Sequence, residues 1–169
     1  MAVMDWLKGK TVHLSGTHPA IEAALKAAGA SLSALEEANI FIHVPPAPRH
    51  VPAHEQSHEE WRKMLDAGLD QRFLHVNDFA KRCRDREQGG VVLFVGRPEQ
   101  SAGVDQAAAA GALGNLTKTL GVEWARDGIR VNSILTHRSD ETVGTLAAYL
   151  VSDYAAYVTG AVMGVDEND

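Results

Sequence analysis

The sequence predicts an α/β domain built on a doubly wound parallel sheet, and three observations predict it. Short runs rich in β-branched residues alternate with longer segments whose apolar residues return every three or four positions. The run VVLFV (Val91 to Val95) is apolar without alternation, as a strand covered on both faces requires. The strand-like TVHLS is followed at once by a turn and a helix-forming segment, the strand-turn-helix unit of such sheets.

Taken in order, TVHLS (Thr11 to Ser15) reads as the first strand. PAIEAALKAAGA then has Pro19 at a helix start, Ala and Leu through the body and Gly29 as the stop. After SLSA, NIFIHV (Asn39 to Val44) reads as the second strand, closed by PPAP because proline cannot donate to a ladder. A loop runs to Ser57. Ser57 and Glu60 have the spacing of a capping box, so a long helix is expected from His58, with Trp61, Leu65, Leu69 and Phe73 as an apolar stripe and Gly89-Gly90 as its end. VVLFV follows, then the loop GRPEQSAGV. A helix is expected from about Asp105 to Ala125, then the strand IRVNSIL, a helix over Glu141 to Val151 and a short strand near AVMGV. No repeat, low-complexity tract or linker divides the chain, so one domain over residues 1–169 is expected.

Composition narrows the function. At 169 residues, with 45% hydrophobic and 22% charged, there is material for one globular core. A formal charge of -6 argues against nucleic acid as a partner, because neutralising phosphates takes clustered Lys and Arg. Cys83 is the only cysteine, so no intrachain disulfide is possible. The start MAVMDWLKGK lacks the apolar run of a signal peptide or membrane span, and a cytoplasmic protein without membrane contact is expected.

LTKTLGVEWARDGIRVNSI (Leu116 to Ile134), YLVSDYAAYVTGAVMGVD (Tyr149 to Asp166), EEWRKMLDAGL (Glu59 to Leu69) and LKGKTVHLSG (Leu7 to Gly16) resemble the short-chain dehydrogenase/reductase (SDR) family, in that family's order. The resemblance implies a Rossmann-like sheet, here reduced. Between Gly29 and Asn39 the family places a further strand, helix and strand that bind the adenosine half of the cofactor. After RVNSILTH, where Thr136 and His137 replace the usual Pro-Gly, the helical substrate lid is missing.

Family members bind NAD(P) on a glycine-rich turn, which lets a pyrophosphate approach the amides at the next helix start. The matching residues are SGTHPAIE: Gly16 remains, but Ala20 and Glu22 stand where the other two glycines would be, adding bulk and a carboxylate. The family's NNAG segment is HVPP (His43 to Pro46). No bound cofactor is therefore expected. The resemblance puts the catalytic Tyr on Gln106, its Lys partner on Ala110, the relay Asn on Gly68 and the Ser near Gly96 or Arg97. None of the four family residues is present. No tyrosine occurs between Met1 and Tyr149, so no shift of register restores the proton donor.

The segments that resemble the family best are those through which its members assemble. Ala107, Ala108, Gly111, Ala112 and Asn115 form a surface of small side chains on one helix, and with Trp61, Leu65 and Leu69 they are the expected interface. The expected function is that of an inactive SDR-like subunit assembling with a catalytic SDR partner and supporting its stability or activity. The alternatives are a homo-oligomer binding a ligand in the vacated cofactor cleft, or a cofactor-free lyase or hydratase using His43, His137 or Arg97.

HEQSH (His54 to His58) matches H-E-x-x-H, with His50 four residues before it. A zinc site needs both histidines on one helix, whereas Pro52 and the Ser57 cap place the helix start between them. A His-rich loop without metal is expected. Cys83, in KRCRDRE, is expected to be a partly exposed cysteine on a solvated helix end, and Arg97 is a candidate for binding a carboxylate or phosphate.

Overall fold

The computed structural model describes residues 5–46, 51–98 and 103–166. Its elements are β1 (Thr11–Ser15), α1 (Pro19–Ala27), β2 (Ser31–Leu32), β3 (Ile40–His43), α2 (His58–Leu65), a π-helical turn over Asp66–Asp70, α3 (Gln71–Asp85), β4 (Gly90–Gly96), α4 (Val104–Glu123), β5 (Ile129–Leu135), α5 (Glu141–Val151) and β6 (Val162–Gly164). The strands form one sheet in the order β2-β1-β3-β4-β5-β6, parallel throughout. Among the described residues no helix is long and apolar enough to cross a membrane.

Strand alternation divides the core into two layers. Ile40, Ile42, Leu93, Val95 and Ile134 face α1 and α5, where Ile21, Leu25, Ala147 and Leu150 complete one cluster. Phe41, Val92, Phe94 and Val131 face α3 and α4, with Val76, Phe79, Leu113 and Leu120. The apolar runs of β3 and β4 are thus covered on both sides, and each fully buried Phe or Leu contributes about 1.5–3 kcal/mol.

Local signals placed most boundaries. Ser57 caps α2, its hydroxyl accepting the Glu60 amide at 3.2 Å while Glu60 Oε2 accepts the Ser57 amide at 3.0 Å. Gly29, at φ +89°, ends α1 where L-residues with a side chain are strained.

Three expectations need correction. The stretch between Gly29 and Asn39, read as a connector, forms a two-residue edge strand, β2, paired with Thr11 and Val12, while the cofactor-side unit is shortened as expected. The long helix from His58 is interrupted by the π turn, and its stripe lies off the sheet: Phe73 is 44% exposed, and the buried face downstream is Val76, Phe79, Ala80 and Cys83. Cys83 itself is buried, 5% exposed, and burial pushes its thiol up despite Arg82 and Arg86. Those arginines are tied to the neighbouring loop, Arg82 donating to the Ala38 carbonyl and Arg86 to that of Glu36.

The segments that carry the family resemblance at the C-terminal end form a structural lock. Arg130 donates to the carbonyls of Leu150, Ser152 and Val158, and Asn132 gives its amide to Val158 O at 2.8 Å and accepts from Ala161 N. Ser152 O also accepts the Ala155 amide at 3.2 Å, so these side chains tie the end of α5 and the following turn to β5.

Candidate functional site

β1 runs through α1 to β2 on one side, and the chain then returns to β3 on the other. This reversal of direction opens a crevice at the carboxyl ends of the strands, where such sheets bind ligands. The crevice here is a cleft of about 650 Å³ lined from β1, β3, β4 and β5, with His18, His43, His75, Arg97, His137 and Arg138 supplying its ionisable groups.

Gly16 forms the turn after β1 at φ +94°, and a Cβ there would lie 2.2 Å from the Val44 carbonyl oxygen, so a glycine is required by the approach of the next strand. Ala20 and Glu22 are not among the residues that line the cleft. The Ala20 carbonyl abuts Gly144 of α5, and Glu22 pairs with Lys26 at 2.6 Å on the helix surface. The residue that closes the helix start is His18, which sequence reasoning missed. Its Nδ1 accepts the Ile21 amide at 3.3 Å and its carbonyl the Glu22 amide at 3.0 Å, while Pro19 has no amide hydrogen. Burial, at 8% exposure, holds the His18 ring below its ordinary pKa, with Arg97 acting in the same direction. Histidine is an unusual N-cap, and its position before Pro19 was the only available signal.

Gly68 and Arg97 join Gln106 and Ala110, one turn apart on α4, in lining a single recess of about 50 Å³ with Arg72, Pro45, Pro46 and Leu113. Pro45, Pro46, Gly96 and Arg97 also line the large cleft, so the recess adjoins it. Arg72 was not expected here. It is 2% exposed, gives its Nε–H to His43 Nδ1 at 3.2 Å and Nη2–H to the Val95 carbonyl at 3.0 Å, and lies 5.3 Å above the Phe94 ring. Desolvation lowers its pKa to about 9, so the guanidinium stays charged at neutral pH. His43, 4% exposed, is pushed down to about 3, first by burial and then by the positive charge of Arg72 and by His75. It is a neutral ring with its Nδ1 lone pair engaged, which is a poor base at neutral pH. Arg97 Nη1 reaches the His137 carbonyl at 3.5 Å. The His137 ring side is exposed, and its amide is held by Asp166 Oδ1 at 2.9 Å.

The expected interface residues lie on the faces of the helices that point away from the sheet. Leu69, Phe73 and Leu74 meet Ala112, Asn115 and Leu116 in an open apolar groove between α3 and α4. Trp61 and Leu65 are half-buried, Ala107 and Ala108 sit half-buried and exposed, and a methyl group at Gly111 would meet nothing within 4 Å. His58 begins α2 and His54 lies before the cap beside Glu55, so the pair is split between loop and helix. His50 lies outside the described residues.

A parallel, doubly wound sheet with a cleft at its reversal point defines a Rossmann-like domain. Comparison with known proteins narrows this further, and the chain belongs to the short-chain dehydrogenase/reductase family. It is 30% identical over 148 residues to a 3beta-hydroxysteroid dehydrogenase of Eggerthella lenta, covering 68% of this chain and 57% of that protein. It is 27% identical over 147 residues to a 2-dehydro-3-deoxy-D-gluconate 5-dehydrogenase of Pseudoalteromonas atlantica, covering 68% of this chain and 58% of that one. The chain thus spans less than two thirds of the length of these curated relatives. Solved structures share the fold: a short chain dehydrogenase from Mycobacterium smegmatis has a TM-score of 0.83 at 19% identity, covering 98% of this chain and 95% of that one. A short-chain type dehydrogenase/reductase from Mycobacterium marinum has a TM-score of 0.85 at 18% identity, covering 98% of each chain. No protein-family model matches the sequence.

The dinucleotide that this fold family implies does not fit the described site. A pyrophosphate needs free amides at the start of α1, and here Pro19 has no amide hydrogen and the Ile21 amide is already taken by the His18 ring.

Proposed function

We propose that this chain is a catalytically inactive SDR-like subunit that assembles with a catalytic SDR dehydrogenase and supports its stability or activity. The observation that carries the reading is the convergence of Gly68, Arg97, Gln106 and Ala110 in the recess where the family's acid-base groups would meet. No side chain of that set can exchange a proton with a carbonyl substrate near neutral pH. The α3–α4 groove supports the assembly half of the reading. Phe73 at 44% and Leu74 at 50% exposure flank a run of small residues, and a partner helix would bury this apolar surface at about 25 cal/mol per Å².

The test is co-purification of the tagged chain from its native cells with quantification of bound proteins, repeated with Leu74→Glu. Equimolar recovery of a full-length dehydrogenase, lost in the variant, supports the reading. Self-association alone, abolished by the same substitution, replaces it with the second reading, a homo-oligomer using the 650 Å³ cleft for a ligand, which the retention of that cleft favours.

A further inference from the structure

We propose that the recess and the cleft above it form a binding site for a small organic acid, its carboxylate held between Arg72 and Arg97. The inference does not depend on which partner covers the α3–α4 groove.

Arg72 carries the argument. A guanidinium 2% exposed is normally matched by a carboxylate, because an uncompensated buried charge is strongly penalised. Every partner of Arg72 is neutral: an imidazole nitrogen, a backbone carbonyl and an aromatic face. Burial lowers its titration, and among the described residues no carboxylate bonds to it. Its Nη1 points toward Gly96, where a Cβ would lie 4.0 Å away, on the wall of the recess.

A second observation is independent of the first. Among the described residues of a chain with 22 acidic and 16 basic residues, no Asp or Glu lines either the recess or the cleft, whereas three arginines and four histidines do. The carboxylates near the rim are engaged locally: Asp140 accepts from Arg138 Nε at 2.9 Å, and Asp166 from the Thr136 hydroxyl and the His137 amide. Asp105, buried with Oδ2 unpartnered in the first turn of α4, does not line the recess. Arg97 pairs with no carboxylate among the described residues, and its contact to the His137 carbonyl is long.

Size and donor geometry select the ligand class. A recess of about 50 Å³ takes a group the size of a carboxylate, and the 650 Å³ cleft that shares its walls takes the body attached to it. The planar guanidinium fork matches the two oxygens of a carboxylate. A phosphate would look instead to the α1 amides, of which His18 caps that of Ile21 and Pro19 lacks its own.

The experiment is an NMR titration of the intact protein's arginine side-chain N–H resonances, alongside thermal unfolding. The probes are acetate, succinate and benzoate, the matched acetamide, succinamide and benzamide, and inorganic phosphate, all at one ionic strength. The expected result is a saturable shift of the Arg72 Nε resonance with at least one acid, and at least tenfold weaker binding of its amide. Arg97→Gln should weaken the acid at least tenfold, and Arg126→Gln, on the exposed turn after α4, should leave it unchanged. Arg72→Lys should weaken it too; if that variant does not fold, Arg97→Gln decides. Equal binding of acid and amide, an unaffected Arg97→Gln, or no saturable shift with any of the three acids would overturn the proposal. Phosphate binding more tightly than every acid would overturn the carboxylate assignment.

Discussion

Replacing His43 by Asn is expected to remove a defined part of the protein's acid sensitivity. In the folded chain the His43 ring is 4% exposed, accepts Arg72 Nε–H and is held at a pKa of about 3, against an ordinary value of 6.5. Between those values the unfolded chain takes up a proton that the folded chain refuses. Protonation therefore favours unfolding, and stability falls as pH drops below about 6.5 until the folded ring titrates near 3. Above 6.5 the ring is neutral in both states and contributes no pH dependence. At pH 5, about one and a half units below the unfolded value, the loss is about 2 kcal/mol. Urea unfolding at pH 7.5 and pH 5 measures it. Asn supplies an acceptor for Arg72 but does not titrate, so the wild type should lose about 2 kcal/mol more between the two conditions than His43→Asn does. The depressed titration of His18 is present in both proteins and cancels in the difference. An identical pH dependence in the two proteins would refute the reasoning.

Other substitutions test the framework around the site. Gly16→Ala combines a φ of +94° with a Cβ 2.2 Å from Val44 O, and its thermal unfolding should report a loss of at least about 2 kcal/mol; a loss below about 0.5 kcal/mol would contradict the close approach. Asn132→Ala leaves the Ala161 amide without its acceptor and Val158 O with Arg130 as its remaining donor, and should cost about 1–3 kcal/mol in urea unfolding, without altering acid binding at the distant recess. The Cys83 thiol, buried and raised in pKa, should resist a thiol reagent in the native protein and react at once in denaturant; rapid native labelling would place it on the surface.

Much of the fold was legible because its signals are local. A capping box, a proline at a helix start, a glycine after a helix and unbroken apolar runs act within a few residues, and α5 and β5 begin and end where those patterns do. The two-residue β2 was not legible, since a strand that short has no period of its own and exists only through pairing with β1. The π turn at Asp66–Asp70 also escaped, because helix spacing persists across it while the phase of the faces changes.

The sequence by itself determined the family and the parallel α/β architecture, since both are properties of residue order and type, and through the family resemblance it proposed which residues stand at the catalytic positions. Only the tertiary structure decided what surrounds those positions. Whether Cys83 faces the sheet or solvent depends on the rotation of α3, and whether Arg72 has a counter-charge depends on β3 and β4 presenting His43, Phe94 and Val95 to it. His18 became a cap rather than a surface histidine through the angle at which the chain leaves Gly16. Charge, burial and helix phase are set by neighbours distant in sequence, so the recess and its unmatched guanidinium appear only when the strands are in register.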